Sequence, residues 1–149
     1  KEMAYMTKIL VVHGAGMNMR GKAQIDVFGP QTLGDYDRQI KEYAAQVGVE
    51  VNIFHSNIEG EVLNAFYAAH DEEMDAAIIN PAGYSAGAPA LVAGIGQVKF
   101  PTIEVHISNP AARGNTSVFS RVCKATVAGF GLYGYYIALL AAKNLAKGA

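Results

Sequence analysis

The segment KILVVHGAG, residues 8 to 16, holds a short apolar run that ends in His13 and Gly14. Four consecutive apolar residues that are closed by a glycine are typical of a strand that is buried on both faces. Strands of this kind occur mainly in parallel sheets that helices cover. The segment therefore predicts a buried strand of a parallel sheet.

Strands and helices alternate on the C-terminal side of this segment. Four further apolar runs predict strands, at residues 50–56, 75–80, 101–106 and 123–129. Apolar residues at helical spacing predict helices between and after them, at residues 30–48, 57–71, 81–97 and 132–147. Ser56 or Asn57 is expected to cap the second of these helices.

This alternation indicates an α/β fold, with a five-stranded parallel sheet that helices cover on both faces. For a chain of 149 residues, the favoured strand order is 2-1-3-4-5, the flavodoxin-like arrangement. We expect a single domain over residues 7–149. Residues 1–6 are expected to be an N-terminal extension or an expression remnant.

The composition is that of a folded protein, and it excludes several classes of function. Hydrophobic residues make up 51% and charged residues 17%, with a formal net charge of −1, so binding to nucleic acid or to a membrane surface is not expected. The single cysteine, Cys123, excludes an internal disulfide and a cysteine-based zinc site. No apolar run reaches the length of a membrane span and no signal peptide is recognisable, so we expect a cytoplasmic location.

The charges are distributed unevenly along the chain. No Asp or Glu follows Glu104, whereas these Arg and Lys residues do: Arg113, Arg121, Lys124, Lys143 and Lys147. An anionic small molecule would suit this positive bias. A solvated end of the chain explains part of it equally well.

His106 is the strongest candidate for chemistry, because it ends the predicted fourth strand. Parallel α/β sheets bind ligands at the carboxyl ends of their strands. The histidine could be a general acid or base, with its tautomer fixed by Glu104 or Glu59. Alternatively, it could only satisfy nearby backbone groups.

Other polar residues come after the remaining strands. His13 ends the first strand in the same way as His106. Asn80 and Ser108 could present polar groups to a carboxylate, although Asn before Pro is also an ordinary turn signal. The sequence GFGLYG at 129–134 matches the glycine pattern of dinucleotide-binding turns, but the acidic residue expected about twenty positions further on is absent. Close packing of a helix on the sheet is the preferred explanation of these glycines.

Five segments together carry a family resemblance: ILVVHGAGMNMRG, FHSNIEGEVLNAF, IINPAGYSAGAPAL, IEVHISNPAAR and GFGLYGYYIALLA. In order and spacing, the chain resembles the type II 3-dehydroquinate dehydratases over residues 8–145. The resemblance implies a flavodoxin-like domain that assembles as a homo-oligomer, a dodecamer built from trimers. It also implies an anti elimination of water from 3-dehydroquinate through an enolate, without a metal or a cofactor.

Several positions of the family's site are matched. His106 corresponds to the histidine that protonates the leaving hydroxyl, and Glu104 to the glutamate that accompanies it. The resemblance assigns contacts with the small carboxylate substrate to Asn80, Ile107, Ser108, Arg113 and Glu59. Among these, Ile107 and Ser108 match the positions that hold the carboxylate by a backbone N–H and a hydroxyl.

The departures concern the groups that remove the proton. The family's lid tyrosine, which acts as the base, is Phe28 here, and the lid arginine that assists it falls on Ala23. Further polar positions of the family are replaced by Gly16, Ala86, Ala93 and Ser117. The lid base is therefore lost.

Other residues could substitute in part for these groups. Arg20 or Lys22 could restore positive charge near the lid. His13 could pair with His106 as a new acid and base, because the two histidines end strands of the same sheet.

These residues predict a lyase or hydratase that acts on a small carboxylate related to 3-dehydroquinate, with 3-dehydroquinate dehydratase activity weak or absent. Two alternatives stay open. One is a functional 3-dehydroquinate dehydratase with a substituted base, and the other is a non-catalytic protein that binds a small carboxylate or serves in assembly. Because the acid that reaches a neighbouring subunit's site falls on Ala93, completion of the site across a subunit interface is not expected.

Overall fold

A computed structural model describes residues 5–147 of the chain. One sheet contains the strands β1 Lys8–Ala15, β2 Glu50–His55, β3 Ala76–Ala82, β4 Thr102–His106 and β5 Ala125–Ala128. Their order across the sheet is β2-β1-β3-β4-β5, and every neighbouring pair is parallel. The predicted fold class and strand order are confirmed. Residues 1–4 of the expected extension, and residues 148–149, lie outside the described residues.

Helices cover both faces of this sheet. They are α1 Ile25–Phe28, α2 Leu33–Val47, α3 Glu59–Asp71, α4 Pro89–Gln97 and α5 Tyr133–Ala146. α2 and α5 pack on one face, and α3 and α4 pack on the other. Within residues 5–147, no helix is long and apolar enough to cross a membrane.

The beginning of α3 differs from the expectation. α3 begins at Glu59 and its N-cap residue is Ile58, without a side-chain cap, so the predicted cap at Ser56 or Asn57 is wrong. The Ser56 hydroxyl instead accepts a hydrogen bond from the Ile58 N–H at 2.9 Å. A serine hydroxyl that bonds the backbone two residues on closes a local turn rather than a helix.

The segment 81–97 is predicted to be helical throughout, but only its second half forms an α-helix. β3 continues to Ala82, a 3-10 turn comes next at Gly83–Ala86, and α4 begins only at Pro89. Ala82 has a φ of 47°, which no right-handed helix accommodates. Pro89 then begins α4, because proline is tolerated in the first turn of a helix.

Alternating residues of β1 point to opposite faces of the sheet, which decides where the end of the strand points. Ile9 and Val11 pack in the layer under α2 and α5. Leu10 and Val12 pack in the layer under α3 and α4. His13 continues the first series, so its side chain points toward α2 and α5.

β4 has the same alternation with ionisable residues on one side. Ile103 and Val105 pack in the layer under α2 and α5. Glu104 and His106 alternate with them, and they therefore point toward the other face. Because the two are separated by two positions in a strand, their side chains are neighbours on that face.

Candidate active site

A cleft of about 830 Å³ opens at the carboxyl ends of β1, β3 and β4. Its polar and aromatic lining includes Arg20, Gln24, Phe28, Asn80, Ser85, His106, Ser108, Arg113, Asn115 and Ser117. Parallel α/β sheets bind their ligands in this position. The cleft is therefore the candidate active site.

Glu104 and His106 form a hydrogen-bonded pair beside the cleft. Oε2 of Glu104 lies 2.6 Å from Nε2 of His106. Glu104 is fully buried, whereas His106 is 9% exposed and lines the cleft. Since one ring nitrogen is bound to the carboxylate, Nδ1 is the nitrogen that can face a ligand. Of the two carboxylates considered from the sequence, Glu104 is the one that orients His106.

The second oxygen of the Glu104 carboxylate is held by hydroxyl groups. Oε1 accepts hydrogen bonds from Ser120 Oγ at 2.8 Å and from Thr126 Oγ1 at 3.2 Å. Burial raises the pKa of Glu104, but hydrogen bonds from His106 and from nearby serine hydroxyls lower it by more, so the pKa lies below its ordinary value. The carboxylate is therefore ionised at neutral pH and can stabilise a protonated imidazole.

The amide of Asn80 is fixed at the edge of the cleft. Asn80 is 2% exposed and belongs to the cleft lining. Nδ2 donates to the Tyr135 hydroxyl at 3.2 Å, and Oδ1 accepts from the Ala82 N–H at 3.2 Å. Because Nδ2 carries two hydrogens, one N–H remains for a ligand.

The loop after β4 is held by the turn that precedes α5. The Gly129 N–H donates to the His106 carbonyl oxygen at 3.2 Å, and the Gly131 N–H donates to the Ile107 carbonyl oxygen at 2.9 Å. These glycines have φ of 93° and 61°, a region that glycine adopts without strain. The pattern GFGLYG thus fixes Ile107 and Ser108 on the wall of the cleft, and the expected helix-on-sheet packing is confined to its last glycine.

Arg20 and Phe28 stack in the segment after β1, residues 16–29, which we call the lid segment. The Cζ atom of Arg20 lies 3.7 Å from the centroid of the Phe28 ring. Arg20 is 8% exposed, whereas Lys22 is exposed. Both members of the stack line the cleft. Arg20 rather than Lys22 therefore supplies the positive charge considered from the sequence, beside a ring that has no ionisable oxygen.

Of the four further positions at which the resemblance implies a replacement, three line the cleft. Gly16, Ala86 and Ser117 line the cleft. Ala93 is exposed on α4. Arg113, in the 3-10 turn Pro110–Arg113, is exposed and adds a second guanidinium to the lining.

His13 lies in the core and not in the cleft. It is fully buried, and Nε2 lies 2.7 Å from Oδ1 of Asp37. Its ring meets those of Tyr36 and Tyr135 edge to face, with centroids 6.4 Å and 6.3 Å away. Because His13 and His106 leave the sheet on opposite faces, the expected acid–base pair between them is not formed.

Glu59 also lies away from the cleft lining. It is the first residue of α3, and its Oε2 accepts a hydrogen bond from the Leu91 N–H at 3.0 Å. The first N–H groups of a helix have no partner within that helix. Glu59 therefore ties the beginning of α4 to α3, and this position supports neither the expected substrate contact nor a contact with His106.

The hydroxyls that hold Glu104 were missed from the sequence. Thr126 pairs with Glu104 in the parallel register of β4 and β5, so the strand order together with the register would have placed both on one face. Ser120 lies in a loop with no periodic pattern. No sequence signal points to Ser120.

Of the residues that line the cleft, the ionisable side chains are those of Arg20, His106 and Arg113. A guanidinium has only donor groups, whereas the imidazole of His106 has a nitrogen that can accept a proton and later donate it. In the described part of the chain, no group of three or more His, Cys, Asp and Glu side chains is arranged to hold a metal ion. The lining can therefore bind an anion and transfer a proton.

The fold and the cleft together define an α/β protein of the kind that binds small molecules at the carboxyl edge of its sheet. The family model described as dehydroquinase class II matches residues 7–143. The chain belongs to the class II dehydroquinase family.

Relatives and solved structures agree with this assignment. The chain is 39% identical to the 3-dehydroquinate dehydratase of Syntrophotalea carbinolica over 145 residues, which are 95% of this chain and 98% of the relative. It is 41% identical to the 3-dehydroquinate dehydratase of Caldanaerobacter subterraneus subsp. tengcongensis over 143 residues, 94% of this chain and 96% of the relative. The crystal structure of type II dehydroquinase from Butyrivibrio crossotus superposes with a TM-score of 0.88 at 30% identity, covering 93% of this chain and 98% of that one.

Proposed function

We propose that this protein is a lyase or hydratase that acts on a small carboxylate related to 3-dehydroquinate, and that its activity on 3-dehydroquinate itself is weak or absent. Membership of the family supports the first part. The residues of the lid segment support the second.

The observation that carries the proposal is the ring of Phe28 in the cleft lining. By resemblance, this is the position of the tyrosine base, and phenylalanine cannot accept a proton. A positioned proton-transfer group contributes about 10²–10⁴-fold to a rate. We therefore expect slow turnover of 3-dehydroquinate, although relatives at 39% and 41% identity are named 3-dehydroquinate dehydratase.

The carboxylate of the ligand would be bound next to His106. The Ser108 hydroxyl, the Ile107 N–H and the remaining N–H of Asn80 are the donors proposed for it. All three residues line the cleft, and the two glycine hydrogen bonds hold the loop that carries Ser108 and Ile107 in place. Each charge-assisted hydrogen bond of this kind contributes about 1.5–3 kcal/mol.

His106 would perform both proton transfers of an elimination. The neutral imidazole takes the proton alpha to a carbonyl group, which gives an enolate and an imidazolium that Glu104 stabilises. The imidazolium then gives this proton to the leaving hydroxyl, a carbon–carbon double bond forms, and water departs. Because one group would serve both steps from one side of the ligand, the hydrogen and the hydroxyl would leave from the same face.

Turnover tests this proposal directly. 3-Dehydroquinate and related β-hydroxy carbonyl carboxylates would be screened with the unaltered protein and with His106→Ala. We expect one of the related compounds to be dehydrated, with the rate lowered about 10²-fold or more in His106→Ala. Stereospecific deuterium labelling would show whether elimination is syn.

Two other outcomes favour the alternatives. Turnover of 3-dehydroquinate at an ordinary enzymatic rate, about 1 s⁻¹ or faster, would support a dehydratase with a substituted base. Carboxylate binding without turnover of any compound would support a non-catalytic binding protein.

The assembly, the location and the domain limits of the protein are also proposed from the family resemblance. The family resemblance supports a trimer-based dodecamer, in a cytoplasmic protein whose domain spans residues 7–149. Sedimentation equilibrium tests the assembly, because a dodecamer has twelve times the chain mass of 15.8 kDa.

A further inference from the structure

Arg20 is a buried cation that forms no ion pair within residues 5–147. The side chain is 8% exposed, and its Nε is buried without a hydrogen-bond partner among the described residues. The ion pairs within residues 5–147 involve other side chains. A buried charge is costly unless it is paired, so this guanidinium is a candidate binding group for an anion.

The contact with Phe28 determines which atoms of Arg20 are available to bind a ligand. The guanidinium carbon lies over the Phe28 ring, 3.7 Å from its centroid, which is the distance of a cation–π contact. The N–H donors of arginine lie in the plane of the guanidinium. Nε has no hydrogen-bond partner among the described residues, and a planar fork of this kind matches the two oxygens of a carboxylate.

Tyr36, a buried polar neighbour of Arg20, does not neutralise this charge. Tyr36 is fully buried, and Arg20 lies close enough to interact with its hydroxyl. Burial raises the pKa of Tyr36, and the charge of Arg20 lowers it by less. The hydroxyl is therefore protonated at neutral pH, and it leaves the positive charge of Arg20 without compensation.

We propose that Arg20 binds a second carboxylate of the ligand, so that the compound bound in the cleft is a dicarboxylate. One carboxylate lies at Ser108, which rests on the proposed function, and the other lies at Arg20. Both residues line the same cleft of about 830 Å³, a volume within the range of sites that bind small molecules. In this arrangement Phe28 is the platform that orients the guanidinium, so the residue that replaces the expected base serves the recognition of charge.

Binding of matched probes tests the proposal without knowledge of the natural ligand. Cyclohexanecarboxylate would be compared with cis-1,3- and trans-1,4-cyclohexanedicarboxylate by calorimetry at low ionic strength. In the unaltered protein we expect at least one dicarboxylate to bind about tenfold or more tightly than the monocarboxylate, the effect of one charge-assisted contact. Arg20→Gln should remove this preference.

Arg38→Gln is the matched control, because the Arg38 side chain is 71% exposed on α2, and it should keep the preference. If Arg20→Gln does not fold, Phe28→Leu replaces it, and loss of the platform should selectively weaken dicarboxylate binding. The proposal is overturned if the unaltered protein shows no preference, if neither dicarboxylate binds at concentrations on the order of millimolar, or if the variant weakens both kinds of probe equally. Absence of turnover in the substrate screen would remove the lyase function and leave this binding preference in place.

Discussion

The Glu104 carboxylate lies 2.6 Å from Nε2 of His106, and the two side chains share one face of the sheet because two positions separate them in β4. The carboxylate is fully buried, and hydroxyl groups hold its other oxygen. His106 is thereby fixed in one orientation at the edge of the cleft. The alternation of side chains along β4 thus accounts both for the pairing of Glu104 with His106 and for the position of this pair at the edge of the cleft.

The ionisation of Glu104 should couple stability to pH. Its pKa in the folded chain is lower than its ordinary value, so the unfolded chain binds more protons, and stability is lost as the pH falls through the folded-state pKa. We expect the free energy of unfolding to fall between about pH 5 and pH 3 more steeply in the unaltered protein than in Glu104→Gln. Urea unfolding at several pH values measures this. Glu72→Gln, at an exposed position, should behave like the unaltered protein, and equal slopes for all three proteins would refute the prediction.

His13→Ala should affect stability and not the chemistry of the cleft. The substitution removes a buried ring that packs against two tyrosines and contacts Asp37, and we expect a loss of about 1–3 kcal/mol in the free energy of unfolding. Urea unfolding gives this value, with His70→Ala as a control within about 0.5 kcal/mol. Carboxylate binding should be retained. If a folded His13→Ala protein specifically lost carboxylate binding, His13 would belong to the binding site after all.

Cys123 should react slowly in the folded protein. Burial, together with the charge of Glu104, raises the pKa of the Cys123 thiol to about 12. Since the thiolate is the reacting species, alkylation by iodoacetamide at pH 8 should be at least about 10²-fold slower in the native protein than in urea. Mass spectrometry of the labelled chain measures both rates. Comparable rates in the two conditions would show that the thiol is accessible and ionisable.

Gly131→Ala should weaken the loop that carries Ser108. Gly131 has a φ of 61° with nothing within 4 Å of an added Cβ. The free energy of unfolding should therefore fall by about 1 kcal/mol, through backbone strain alone. Carboxylate binding should weaken with it, because the Gly131 N–H holds the Ile107 carbonyl. Gly60→Ala is the matched control, since Gly60 lies in α3 with equally open space and alanine favours a helix. Urea unfolding and calorimetry test both variants, and equal effects at the two glycines would contradict this prediction.

The sheet could be derived from the sequence because its strands are continuous apolar runs closed by turn residues. Because the residues on both faces of each strand are apolar, the sequence does not show toward which face the side chain at the end of the strand points. His13 and His106 therefore looked alike, although one points into the α2/α5 layer and the other borders the cleft. Glu59 looked functional because it belongs to a family motif, whereas its contact with Leu91 depends on the position of α4, which sequence periodicity does not give.

The lid segment was the least accessible to sequence reasoning. It has no apolar period, and its conformation depends on single residues such as Gln24, which has a φ of 52°. The stack of Arg20 on Phe28 results from that conformation and from no local pattern. A phenylalanine at the position that the resemblance gives to the tyrosine was visible in the sequence, but the contact of its ring with Arg20 was not.

The rate at which the unaltered protein and Phe28→Tyr turn over 3-dehydroquinate tests the central claim, that the lid has lost its base. Tyrosine at position 28 would restore a hydroxyl beside the Arg20 guanidinium, which favours its ionised form. We expect the unaltered protein to be about 10²-fold or more slower than Phe28→Tyr. A rate of about 1 s⁻¹ or faster in the unaltered protein, unchanged by Phe28→Tyr, would contradict the claim.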